Sequence, residues 1–219
     1  MNIRHQHYPD SDGYVSVTNT IPIVTDVYPS PTPEDFNPPM RSRYKITPES
    51  NTYFITTSTR HWVPILFNET VFAIILDSLK YCQANKGLRV HGYVIMINHF
   101  HAIISHNDYG QISNIMRDLK RHTSTEIKRY LSGLGDFSQL FWVKSFHGQE
   151  PGEHRIWQEG YHPIAIKSSA FFEQKLDYIH FNPVKKGFVT QPEHWKYSSA
   201  RNYFLGDDSL LAVDRIESG

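Results

Sequence analysis

Between Asn51 and Phe181 the apolar period switches repeatedly between two and 3.6 residues, and the order of the switches narrows the fold more than any other property of the chain. The run NTYFITTS, residues 51 to 58, is rich in aromatic and β-branched residues and predicts a strand. Residues 69 to 85 set Val71, Ile75, Leu79 and Cys82 on one helical stripe that ends before Gly87. LRVHGYVIM and FHAIIS then flank Ile97 and Asn98 as the arms of a tight hairpin. Helical spacing returns from 111 to 131 through Ile112, Ile115, Leu119 and Ile127, and YHPIAIK reads as another strand. A last helix spans 169 to 181, with Phe172, Leu176 and Ile179 on one face, and Pro183 and Gly187 are expected to stop it. The first six of these elements form the split βαβ pattern of an α+β, ferredoxin-like (RRM-like) fold: an antiparallel sheet with helices packed on one face.

The same periodicity is missing from residues 1 to 42, which hold seven of the thirteen prolines. Up to residue 40 there is one base, Arg4, against five acids, a balance of −4 that leaves +4 on the rest of a formally neutral chain. A Pro-rich acidic stretch buries too little apolar surface to offset its ordering entropy, so 1–42 is expected to be a largely disordered tail. The folded domain is expected over 43–205, with a short C-terminal tail at 206–219. No apolar run reaches the roughly 20 residues that span a bilayer, and the opening MNIRHQHYPDSDG lacks the apolar core of a secretory signal. Cys82 is the one cysteine, so no internal disulfide can form. These features predict a cytoplasmic protein with no membrane role.

His99-Phe100-His101 opens the second hairpin strand. Side chains two apart on a strand share a face, so both imidazoles project together and can share one divalent cation while Phe100 points the other way. The pattern also arises by chance in a chain with 13 histidines. On the last helix, Tyr178 and Asn182 stand four residues apart, beside the apolar stripe. From there a phenol can serve as nucleophile and an amide oxygen as a third metal ligand, although most boundary tyrosines on helices simply pack.

The stretches YVIMINHFHAIIS, WQEGYHPIAI and LDYIHFNPVKKGFV, followed by HWKYSSA, occur in an order that resembles the single-tyrosine HUH transposases of the IS200-like class, above all the REP-associated tyrosine transposases. The likeness runs from about Tyr44 to Tyr203. It implies an HUH endonuclease type of fold, with His99, His101 and Asn182 as metal ligands and Tyr178 as the catalytic residue. One departure is Ile97, where the family pattern carries proline before the Asn-His pair.

Two imidazoles and an amide form a mixed nitrogen and oxygen shell that suits Mg2+ or Mn2+. The expected reaction is attack of Tyr178 on a phosphodiester, giving a 5′-phosphotyrosine and a free 3′-hydroxyl. The resemblance implies single-stranded DNA with a hairpin, a repeated palindrome, as substrate; monomer and homodimer both remain open. Basic residues expected to grip phosphates are Arg117, Lys120, Arg121, Lys128 and Arg129 on the second helix, where they outweigh Asp118 and Glu126, and Lys185 and Lys186 after the tyrosine. Phe141, Trp142, Phe146 and Trp157 are candidates for base stacking or core packing. Two other readings exist: a domesticated hairpin-binding protein that does not cut, and a metal phosphodiesterase acting on small nucleotides, in which Tyr178 would only pack.

Overall fold

Four strands form one sheet in the order β2-β3-β1-β4, where β1 is Thr52–Ser58, β2 Arg89–Ile95, β3 His99–Ser105 and β4 His162–Ala165. Every neighbouring pair is antiparallel, so the expected ferredoxin-like sheet is present. The computed structural model describes Ile46, residues 50–134 and residues 155–215. The proposed N-terminal tail, Phe141, Trp142 and Phe146 lie outside the described residues.

Helices α1 (Glu69–Lys86) and α2 (Tyr109–Ser132) cover one face. Asn68 caps α1 by accepting from the Val71 amide at 3.0 Å, and Gly87 ends it in the left-handed region at φ 65°. Asp108 caps α2 through the Gly110 amide at 2.9 Å, which starts this helix at Tyr109, three residues before its apolar stripe begins at Ile112. Strand alternation sends Tyr53, Ile55, Phe100, Ala102 and Ile104 to this side, where they join Ile75, Leu79, Ile115 and Leu119 in the larger core.

Helix α3 (Ser169–Lys185) lies on the opposite face, a placement that the period of its residues could not reveal. Ile179 packs there with Phe54, Val94, Met96 and Ile103, and Phe172 and Leu176 border the cluster. Gly92 permits the close approach: a Cβ at that position would lie 2.6 Å from a Leu176 methyl and 3.8 Å from Ile179 Cδ1. The expected stop at Pro183 does not occur, because α3 runs two residues past it. Termination comes instead from Gly187 at φ 72°, with Phe188 N donating to the Pro183 carbonyl and Gly187 N to that of Val184 at 2.9 Å each. This pairing is a Schellman ending, which satisfies carbonyls of the last turn.

Beyond α3, residues 197–199 run along the free edge of β2. Ile95 N donates to the Tyr197 carbonyl and Ser199 N to the Tyr93 carbonyl. A short helix, α4 (Ala200–Leu205), follows. Further on, Leu211 is buried in the larger core and Asp214 N donates to the Val90 carbonyl, so residues 211–214 are seated on the sheet. Among the described residues no helix is long and apolar enough to cross a membrane.

Candidate active site

His99 and His101 project from β3 onto the α3 face, opposite Ser58 and Thr56 of β1. Both are buried, and their ring centroids lie 4.8 Å apart. Phe54 stacks on His101 at 5.3 Å, while Tyr178 of α3 stands edge-on to the same ring at 5.1 Å. The helix thus brings its phenol to the imidazole pair, and Tyr178 stays partly open to solvent at 40% exposure.

One side chain fixes the proton on His99. Asn98 Nδ2 donates to the Trp62 carbonyl at 3.3 Å, so Asn98 Oδ1 is the atom that faces His99 Nδ1 at 2.7 Å. An amide oxygen can only accept; Nδ1 therefore carries the hydrogen and Nε2 keeps its lone pair. His101 Nδ1 is similarly held by Thr56 Oγ1 at 2.8 Å. Such partners on the far ring nitrogen are what orient metal-binding histidines.

Burial pushes the His99 pKa down to about 4, opposed by the Asn182 amide beside it and reinforced by Lys186. His101 is lowered well below the usual imidazole value, first by burial, then by His99 and by Lys175. Both rings are neutral near pH 7, as cation ligation requires. Asn182 is buried one turn beyond Tyr178, and among the described residues its Oδ1 has no hydrogen-bond donor. A buried carbonyl oxygen without a donor is costly unless something electropositive meets it. The two imidazoles and this orphaned oxygen therefore suit a hard or borderline divalent cation. Among the described residues no three His, Cys, Asp or Glu side chains cluster, so an amide is needed to complete a three-ligand set.

The remaining basic residues divide between the two sides of the sheet. Lys185 lies near the phenol, its Nζ 5.9 Å from the Tyr178 ring centre, and Lys186 is close enough to act on His99. The helix α2 residues are on the other side. There Arg117 and Arg121 face Asp118, which also pairs with Lys86 at 2.7 Å, and Arg129 meets Glu126 at 2.7 Å. Lys120 donates to the Gln158 and Gly160 carbonyls, and burial lowers its pKa to about 8. Lys128 belongs to this same helix. Trp157 is buried in the larger core and donates through Nε1 to Thr123 Oγ1 at 2.8 Å, so it packs rather than offering a face for stacking.

Two neighbours escaped the sequence reading. Lys175 sits one turn before Tyr178, with Nζ 5.0 Å from the Phe54 ring centre and 5.8 Å from that of Tyr178; the i, i+3 spacing was its available signal. Trp62 reaches the His99 ring at 5.8 Å from a turn whose left-handed backbone no sequence period announces.

An antiparallel sheet that presents two imidazoles towards a tyrosine helix is the arrangement of an HUH fold. Residues 51–157, just under half of the chain, match the family described as "Transposase IS200 like". The matched region contains both histidines and stops short of α3. The REP-associated tyrosine transposase of Escherichia coli (strain K12) is 23% identical over 159 residues, covering 72% of this chain and 79% of the relative. A putative REP-associated tyrosine transposase of Haemophilus influenzae is 39% identical over 51 residues, 23% of this chain and 29% of the relative. Among solved structures, a REP-associated tyrosine transposase bound to a REP hairpin superposes with a TM-score of 0.53 at 22% identity. That match covers 80% of this chain and 96% of the other, and it supports the fold.

Proposed function

We propose that this chain cuts and rejoins single-stranded DNA beside a hairpin, with Tyr178 as the nucleophile. The observation that carries the proposal is the convergence of a solvent-reachable phenol, 5.1 Å between ring centres from His101, with two neutral imidazoles and an orphaned amide oxygen. Tyr178 Oη forms a bond to phosphorus as the bond from phosphorus to the 3′ oxygen breaks. The phenolic proton is lost and one is gained by the leaving oxygen, so a 5′-phosphotyrosine and a 3′-hydroxyl result. Because a phosphate ester is exchanged for a phosphate ester, a 3′-hydroxyl can reverse the step without ATP.

His99, His101 and Asn182 would hold Mg2+ or Mn2+, which when bound withdraws charge from a non-bridging phosphate oxygen. Lys185 and Lys186 supply positive charge on the same side for the DNA backbone. The α2 basic residues, on the other side of the sheet, would contribute to DNA binding only where the duplex stem wraps past the active face. The hairpin as partner is supported by the solved relative, whose bound ligand is a REP hairpin. The reaction is assigned to the cytoplasm.

The test is incubation of the protein with labelled hairpin oligonucleotides carrying single-stranded flanks, in Mg2+ or Mn2+. A protein band that keeps the label through denaturation is the expected result. Tight hairpin binding with no such band under any divalent cation would leave a hairpin-binding protein that does not cut.

A further inference from the structure

We infer that Trp62 is a stacking platform for one unpaired base, that of the nucleotide immediately 5′ of the cut. The inference rests on the proposed cutting reaction for its polarity, but the platform itself stands on separate observations.

Trp62 is 46% exposed although it carries the largest apolar side chain among the residues, and its ring stands edge-on to His99 at 5.8 Å. His61 and Trp62 are the two described non-glycine residues with positive φ, at 54° and 58°. Each such residue costs about 1 to 3 kcal/mol, and persists only when the surroundings over-determine it. Here they do. Thr59 N donates to the Asn98 carbonyl, Arg60 N to that of Ile156 and Trp62 N to that of Thr59, while Thr59 Oγ1 donates to the Val63 carbonyl at 2.7 Å. Core packing does not explain an indole held outside the core at that cost, whereas binding of a flat apolar ligand does.

The ligand follows from the neighbourhood. Trp62, His99, His101 and Tyr178 form a chain of ring-to-ring contacts with successive centroid separations of 5.8, 4.8 and 5.1 Å. The indole is at the His99 end and the phenol at the His101 end. In phosphoryl transfer the attacking and leaving oxygens lie roughly in line through phosphorus. A strand attacked by Tyr178 above the imidazoles sends its leaving 3′ oxygen away from the phenol, and in the proposed binding mode that oxygen lies on the Trp62 side. The nucleotide there becomes the free 3′-hydroxyl end, and stacking would retain it for rejoining. Asn98 links the two roles, since its amide holds both the Trp62 carbonyl and His99 Nδ1.

The experiment replaces the nucleotides of the single-stranded flank, one at a time, by abasic residues, and measures hairpin affinity for the full chain in a Tyr178→Phe background. One abasic position is expected to weaken binding about tenfold, the order expected for one base stacked on an aromatic ring. That penalty should vanish with Trp62→Gly and persist with Trp62→Phe. Glycine suits φ 58°, so it removes the ring while relieving the backbone, and thermal unfolding should show no loss of stability. If no position has a penalty that depends on Trp62, or if the position that does lies 3′ of the cleavage site mapped with the Tyr178 protein, the inference is overturned. Coupling at one position in a protein that forms no covalent adduct would instead refute the cutting reaction and leave the platform in place.

Discussion

The Tyr178 ring stands edge-on to that of His101, at an interplanar angle of 72°, and it touches Phe54 in the same manner at 5.8 Å between centres. These contacts use the ring rather than the hydroxyl. Tyr178→Phe should abolish covalent adduct formation yet leave hairpin affinity within about twofold, a change of less than half a kcal/mol. Gel assays of labelled DNA and a binding titration on the same variant check the pair of outcomes, and retained cutting would remove the assignment.

Asn182 is a second discriminating position. An acceptor buried without a donor weakens the apo protein, so Asn182→Leu should leave its stability unchanged or raise it by about 1 kcal/mol. The same substitution should erase the rise in Tm that Mg2+ or Mn2+ produces by binding the native state. A variant with lower stability and an unaltered response to cation would show that the oxygen serves the fold instead.

Stability should also fall in mild acid. Burial lowers the pKa of His99 and of His180 from 6.5 to about 4, and lowers those of His91 and His101 as well. Between pH 6.5 and 4 the unfolded chain binds protons that the native state refuses, so native stability rises with pH across this window and is lost as pH falls. Each histidine contributes at most about 1.4 kcal/mol per pH unit. Urea unfolding at pH 7.5, 6 and 5 measures the slope, and His180→Gln should reduce it. Identical unfolding midpoints at pH 7.5 and 5 would contradict the burial argument.

Ser199 ties the tyrosine helix to the sheet. Its hydroxyl accepts from Tyr93 N at 2.9 Å and meets His180 Nε2 at 3.0 Å. Ser199→Ala strips both partners inside the protein and should cost about 1 to 3 kcal/mol. Gly92→Val introduces side-chain carbon against Leu176 and should cost about as much by overpacking. Both changes loosen or displace α3, so adduct formation should slow more than hairpin binding weakens. Comparing single-turnover rates with affinities tests this; equal losses in both would mean that α3 is not positioned through these residues.

The sequence disclosed the parts whose side chains repeat with a clear period. Strand β1, helices α1 and α2 and the hairpin carrying His99 and His101 were all legible because each has a buried face spelled out in apolar residues. Period alone does not say which side of a sheet a helix takes, so α2 and its cations fell opposite the histidines while α3 covered them. Proline suggested an early end for α3, but Pro183 lies so near the last turn that the Schellman ending could form beyond it. Helix α4 and the 197–199 edge segment were invisible because six residues or fewer are too short for a period to register. Trp62 was hidden for another reason: its position depends on two left-handed residues, which β-branching and hydropathy do not encode.

The two sides of the sheet are unequally fastened. Helices α1 and α2 share an extensive apolar interior, whereas α3 rests on the small group around Phe54, Val94, Met96, Ile103 and Ile179. Opening free energies follow local burial, so amide hydrogens of α3 should exchange with solvent sooner than those of α1. A nucleophile mounted on the shallower layer can be lifted away, carrying its bound strand, while the layer beneath keeps the histidines in register.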